Sequence, residues 1–177
     1  MQFRKCSGQI GQHDLVQSMI RREHPGDQAI ITALHRGALG EDEAALVNAL
    51  QQTGDAALSL VAERNHMVVG HVLLSRLQAP MRALSLAPLS VMPKHQRQGI
   101  GSDLVRAGLE LAENDGWDAV FVLGDPAYYT RFGFDLEAAR AFCSPYSGEG
   151  FMIRPLGKTP LPTSGEVIYP QPFRMFG

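Results

Sequence analysis

The stretch MPKHQRQGIGSDLV, Met92 to Val105, joins two textures of sequence. Before it, Arg82 to Met92 reads as a strand. After it, Ile100, Leu104, Val105, Leu109, Leu111 and Ala112 fall at helical spacing, and Asn114-Asp115-Gly116 closes the helix. The loop Lys94-His95-Gln96-Arg97-Gln98 therefore stands at a helix N-terminus, where unpaired N–H groups and the helix dipole favour an anion. Gly99 and Gly101 remove Cβ atoms that would hold a phosphate off the backbone. Lys94 and Arg97 can add charge-assisted bonds. Two other phosphate fingerprints fail. G-x-G-x-x-G needs a third glycine where Leu104 stands. A P-loop ending at Gly157-Lys158-Thr159 would need its first glycine at Met152, and Pro160 would spoil the helix to follow. Taken alone, Gly-x-Gly is also what a tight strand-to-helix turn requires.

Upstream, Ala57 to Glu63 (ALSLVAE) and Met67 to Leu77 read as strands joined by the turn Arg64-Asn65-His66, a hairpin. Gly70 marks a bulge, and Pro88 argues for a ladder interrupted at that point. Downstream, Ala119 to Leu123 (AVFVL) is short and unbroken, as in a strand buried on both faces. Pro126 starts a short helix through Arg131, ended by Gly133. Gly150 to Ile153 is a last strand. At the other end, Leu15, Val16, Met19 and Ile20 predict a helix over His13 to Glu23, ended by Pro25-Gly26. A second helix spans Glu41 to Gln52, with Glu41, Asp42 and Glu43 in its first turn, where carboxylates suit the dipole. Pro160, Pro162, Pro170 and Pro172 predict a tail extended along the surface. The expected fold class is α/β (α+β): a mixed, mostly antiparallel central sheet flanked by helices. Residues 1–156 form one domain in this reading, and 157–177 a proline-rich extension packed on it.

The bulk numbers narrow the function. With 177 residues, 45% of them apolar and 19% charged, the chain can bury a core. Net charge is −2, from 16 basic and 18 acidic residues, and no basic run exceeds Arg21-Arg22, which argues against nucleic acid. No window has the apolar length of a membrane span, and MQFRKCSGQIGQHD lacks a signal peptide's apolar core. Cys6 and Cys143 do not make a disulfide framework, so a reducing cytoplasm is the simplest location. The six histidines show no metal-ligand spacing, and no metal is expected.

More than one motif is present. Gln96-x-x-Gly99-x-Gly101, preceded by Leu89 to Pro93, resembles the acyl-CoA-binding motif of the GNAT N-acetyltransferase superfamily (Q/R-x-x-G-x-G/A). Val61-Ala62-Glu63 through Val69-Gly70-His71 resembles that family's central hairpin. Tyr128 to Phe134 resembles its downstream motif of aromatic, Tyr, three residues, then Gly-Phe. VLGDPAYYTRFGF, Val122 to Phe134, is especially similar to the YhbS-like bacterial branch. The resemblance covers residues 57–134, in order and spacing.

That resemblance implies acetyl-CoA as co-substrate. Backbone groups of Leu89, Ser90 and Val91 would pair with its pantetheine arm as with an added strand. Gln96 belongs to the motif, and N–H groups of Arg97, Gln98, Gly99, Ile100, Gly101 and Ser102 would take the diphosphate. The reaction implied is direct acetyl transfer to a primary amine, on a small molecule or on a peptide or protein. An unperturbed primary amine has a pKa of about 10.4, so a base or water chain must take its proton. The tyrosine matching the family's acid is Tyr129; Tyr128, Phe132 and Phe134 read as core aromatics. Glu63 is one candidate base, though it reads more readily as a solvated or hairpin-capping carboxylate, and His71 is a weaker one, more often a half-buried, hydrogen-bonded strand histidine. A non-catalytic acyl-CoA-binding sensor is the alternative reading. A homodimer is compatible with either.

Overall fold

The computed structural model describes residues 18–157 and 160–176. In chain order the elements are β1 (Met19–Arg22), α1 (Gln28–Ala38), α2 (Glu41–Thr53), β2 (Ala56–Arg64), β3 (Met67–Leu77), β4 (Ala83–Val91), α3 (Ile100–Asn114), β5 (Ala119–Leu123), α4 (Pro126–Tyr129), α5 (Leu136–Ala139), β6 (Phe142–Cys143), β7 (Phe151–Pro155), β8 (Gly165–Glu166) and α6 (Pro172–Phe176). Six strands form one sheet in the order β1-β2-β3-β4-β5-β7, and β6 pairs with β8 separately. Only β4 and β5 run parallel within the large sheet. The expected mixed, mostly antiparallel sheet flanked by helices is the architecture found.

The sheet grows from the hairpin. Asn65 and His66 take positive φ, closing β2 onto β3. Ala62 opposes Gly70 while Glu63 opposes Val68, so Val69 is an extra residue and the bulge lies beside Gly70. A second irregularity falls at Pro88. Val72 opposes Leu89 and Leu74 opposes Leu86, so Ala87 and Pro88 together face Leu73. One face of the sheet packs Leu58, Leu60, Leu74, Leu84 and Leu86 against Leu104, Val105 and Leu109 of α3. The other packs Leu73, Leu77 and Phe121 beneath Leu46 and Leu50 of α2, with Ile31 and Leu34 of α1 over Val61 and Val68.

Two expectations are corrected. Within His13 to Glu23, Met19–Arg22 is an edge strand and not a helix, pairing Met19 with Glu63 and Arg22 with Leu60; residues 13–17 lie outside the described residues. Period two fits these four residues as well as period 3.6 does. Ile20 packs on the α3 face, while Arg21 projects to the other and binds Asp27 and Glu63. Pro25-Gly26 is likewise a start and not a stop. A turn over Pro25–Asp27 leads directly into α1, as proline at a first helical position allows.

The tail is not surface-extended either. Val167, Tyr169 and Phe173 are buried among Leu46, Leu50 and Leu77, because the sheet face left uncovered below α2 needs apolar cover. Tyr146, Tyr169 and Phe173 form an edge-to-face cluster, Tyr169 and Phe173 with centroids 5.0 Å apart.

On the α1/α2 face two fully buried histidines meet, His35 Nε2 and His71 Nδ1 being 2.7 Å apart. Burial pushes His35 down to about 4. Burial, with His35 adding, pushes His71 down to about 3. Both rings are therefore neutral at physiological pH.

Phe173→Ala should lower the unfolding free energy by about 3 kcal/mol, the usual cost of emptying a core phenylalanine site. Urea titration measures it, and a loss under about 0.5 kcal/mol would mean an exposed tail. The histidine pair sets a pH dependence. The unfolded rings protonate near 6.5 and the folded ones resist until about 4 and 3. Their contribution is thus present above about 6.5 and lost as pH falls towards those folded values. Unfolding free energy should already decline between pH 6.5 and 5, above the carboxylate range. A flat profile there would show that the folded rings take up protons freely.

Candidate functional site

Parallel pairing of β4 with β5 covers Ala83↔Ala119, Leu84↔Val120 and Ser85↔Phe121, and then stops. Strand β4 runs on to Val91, bent by the bulge at Pro88, which has no N–H to donate. The chain leaves β4 through a turn over Pro93–His95 and returns as α3. On the far side, β5 leads into α4, whose start is fixed by Pro126 and by the Asp125 carboxylate accepting from Ala127 N–H at 2.9 Å. Between the end of β4 and the segment that follows β5 lies a cleft of about 510 Å³, lined by Leu89 and Val91, by His95 to Arg97 and Gly99 to Ser102, and by Tyr128 and Arg131.

The N-cap of α3 is Gly99, at φ +88, which has no side chain to cap the helix. The first-turn N–H groups of Ile100, Gly101 and Ser102 are left to whatever occupies the cleft. A Cβ on Gly99 would stand in open space, whereas one on Gly101 would meet Tyr128 Oη at 3.0 Å. Arg97 also adopts positive φ, at +58. Left-handed residues set among others in a turn can bring backbone N–H groups into one concavity, a geometry suited to anions.

The residues singled out in the sequence divide by direction. Leu89, Val91, Gln96, Arg97, Gly99, Ile100, Gly101 and Ser102 line the cleft. Gln96 also braces it, donating from Nε2 to Val91 O at 2.9 Å. Ser90 alternates with Leu89 and Val91, so its side chain projects to the α1/α2 face, where it is buried. The Gln98 side chain turns to Lys94 O and Arg64. Glu63 is held by Arg21, with Arg21 Nε 2.8 Å from Glu63 Oε2, and its other oxygen is 3.7 Å from His66 Nδ1. His71 is not half-buried but fully enclosed.

Tyr129 sits behind the cleft wall. Its ring packs edge-on against Tyr128 at 4.9 Å and Phe134 at 5.7 Å. It also lies where a side chain on Gly124 would be, a Cβ there falling 2.5 Å from the ring. Burial, with Tyr128 adding, pushes its hydroxyl up to about 12, so it holds its proton at neutral pH. Phe132 and Phe134 are core residues as expected. Tyr128 is not: it is half-buried and lines the cleft.

Arg131 was not singled out by the sequence. Its guanidinium stacks 4.1 Å from the Tyr128 ring centroid and donates to Ser102 Oγ at 3.0 Å. It thereby brings a fixed cation over the open end of α3. The signal was its place three residues after Tyr128, one helical turn on.

Residues 28–134 match the sequence profile described as Acetyltransferase (GNAT) family. The chain is 40% identical over 125 residues to the uncharacterized N-acetyltransferase YhbS of Escherichia coli K12, covering 68% of this chain and 75% of that protein. It is 39% identical over 113 residues to YjhQ of the same strain, another uncharacterized N-acetyltransferase, covering 59% and 62%. The crystal structure of E. coli YhbS in complex with CoA superposes with a TM-score of 0.84 at 34% identity, over 92% of this chain and 94% of that one. A GNAT family acetyltransferase from Brucella melitensis in complex with acetyl-CoA superposes at 0.76 and 31%, over 89% and 99%. The parted strands, the glycine-capped helix and these similarities agree: the chain belongs to the GNAT acetyltransferase family.

Proposed function

We propose that the protein transfers an acetyl group from acetyl-CoA to a primary amine, of a small molecule or of a peptide or protein, by direct attack in the cytoplasm. The observation that carries this is the uncapped N-terminus of α3 opening on the cleft beside the end of β4. The residues present fit the co-substrate. Gly99 leaves room for a diphosphate beside first-turn amides. Arg97 and Arg131 supply cations, and the parted edge of β4 offers unpaired backbone groups to an amide-bearing arm. The resemblance to proteins solved with CoA and acetyl-CoA supports the same assignment.

Acetyl-CoA supplies an activated carbonyl, at which a C–N bond to the acceptor forms and the C–S bond breaks. Two proton movements remain for the protein. The attacking ammonium must lose a proton, since its nitrogen has no lone pair until it does. The departing sulfur must be neutralised, and the Tyr129 hydroxyl, kept protonated by burial, is the donor. Tyr128 and Arg131 form the cleft wall and hold the co-substrate.

Tyr129→Phe keeps the ring against Phe134 and removes the donor. It should lower kcat by about 10²–10⁴-fold with acetyl-CoA affinity nearly unchanged. Tyr128→Phe should instead change affinity more than kcat. Thiol release across an amine panel gives the rates. A Tyr129→Phe enzyme at the wild-type rate, with chemistry rate-limiting, would remove Tyr129 from the mechanism. Gly99→Val forces a β-branched residue to φ near +88 and fills the cleft mouth. It should weaken acetyl-CoA binding about tenfold or more, read by calorimetry with circular dichroism as the fold control. Wild-type affinity in the folded variant would rule out the phosphate assignment.

A further inference from the structure

A second cavity adjoins the cleft. It measures about 390 Å³ and is lined by Arg106, Glu110 and Glu113 of α3, by Arg131 and Phe132, and by Arg154 of β7. Arg131 lines the cleft as well, so one side chain stands between the two spaces. Ser102, Arg106 and Glu110 follow at four-residue spacing and share one face of α3. That face leads from the first turn, where Ser102 accepts from Arg131, along the helix into the second cavity.

Two of the three arginines are exposed and held in place by aromatic rings. The Arg131 guanidinium lies over Phe132, 4.8 Å from the ring centroid, as well as over Tyr128. Arg106 lies over the same Phe132 ring at 5.5 Å. Its ion pair with Asp103, at 3.1 Å, joins two exposed side chains and is worth little in water. Arg131 meets a hydroxyl and not a carboxylate. Arg154 is committed to the chain itself, Nη1 donating to Phe132 O, and serves as wall. Of the carboxylates, Glu113 accepts from Gly157 N–H at 3.1 Å, and Glu110 is exposed one turn beyond Arg106. A simple anion would meet Glu110 unfavourably. A better fit is a ligand that carries a phosphate at one point and a flat base with a hydrogen-bond donor at another.

Acetyl-CoA has that form. Its diphosphate is internal. The pantetheine arm runs from it one way to the thioester, and an adenosine bearing a 3′-phosphate runs the other. With the diphosphate on the first turn of α3 and the arm along β4, the nucleoside end must leave away from β4. The wall facing β4 is formed by Tyr128 and Arg131, and the second cavity adjoins it at Arg131.

We propose that this second cavity is a subsite for the 3′-phosphoadenosine end of the co-substrate, in which Arg106 and Arg131 take the 3′-phosphate and so select CoA thioesters over their dephospho forms; this rests on the acetyl-transfer reading. A terminal phosphate monoester carries about −1.5 to −2 at neutral pH, and guanidinium groups bind it through paired charge-assisted bonds. The adenine lies flat on a guanidinium plane and its exocyclic amine donates to Glu110, which gives a carboxylate a place in a cationic groove.

Calorimetric affinities for CoA and dephospho-CoA, each with the wild type and with Arg106→Gln, close a double-mutant cycle. The wild type should bind CoA about tenfold or more tighter than dephospho-CoA, the scale of one charge-assisted contact. Arg106→Gln should cut that preference to about threefold or less, with dephospho-CoA affinity within about twofold of the wild type. Arg106→Lys, which keeps the charge and loses the fork, should fall between. Arg106 is exposed, so these changes spare the fold, and circular dichroism checks it. A wild type that binds both ligands equally overturns the proposal. So does an Arg106→Gln protein that keeps the full preference or weakens both ligands alike. If the wild type binds neither ligand, the acetyl-CoA reading itself fails; binding of both without preference fails the subsite alone.

Discussion

Strands β4 and β5 are hydrogen-bonded over three residue pairs and then separate. Backbone groups at a sheet edge ordinarily need partners, and an interior edge left open is costly unless something occupies it. The bulge at Ala87 and Pro88 turns β4 away, and Pro88 could not have donated in any case. Everything in the site depends on that parting. The end of β4 delivers the glycine turn and the first turn of α3 to one wall. The end of β5 leads to Tyr128 and Arg131 in the other, with Tyr129 behind them. Had the ladder run to its end, Leu89 and Val91 would be buried strand residues and α3 would begin against protein.

The two faces of the sheet carry different electrostatics in a chain of net charge −2. The cleft side gathers cations: Arg97 and Arg131 at the helix start, with Lys94 and Arg64 near them. The α1/α2 side holds uncharged polar groups in file, closed from water by Ile31, Leu34 and Val47. Its outer end, at Glu23, Ser59 and Gln51, is half-buried, and Arg21 draws the neighbouring carboxylates of Asp27 and Glu63 into a separate cluster. The sequence hides this division, since it depends on which side of each strand a polar residue falls.

Local patterns were legible where one physical cause acted alone. The hairpin, the bulge at Gly70, the interrupted ladder at Pro88, helix α3 and the strand AVFVL all follow from period, turn chemistry or proline's missing donor. The N-terminal segment was misread because Met19 and Ile20 satisfy helical spacing while strand pairing with β2 decides the outcome. The tail was misread because four prolines suggested exposure, yet Val167, Tyr169 and Phe173 between them have a bare sheet face to cover. In the site, the glycines and Tyr129 were visible through motif spacing. Arg131 and the place of Tyr128 were not, since both depend on how tightly α4 is set against α3. The direction of Ser90 follows only once the strand's alternation is fixed.

Gly124 contributes to the site by having nothing to contribute. Its missing Cβ is the space the Tyr129 ring occupies, and a methyl group there would stand 2.5 Å from a ring carbon, closer than atoms can pack. The position of the Tyr129 ring is thus written into a residue with no functional group, at the end of a different element. A survey of this protein by chemical type would pass over position 124, although the smallest side chain there must displace either the phenol or the end of β5. Tolerance to substitution at this strand end is therefore a measure of how closely the end of β5 and the ring from α4 are fitted together.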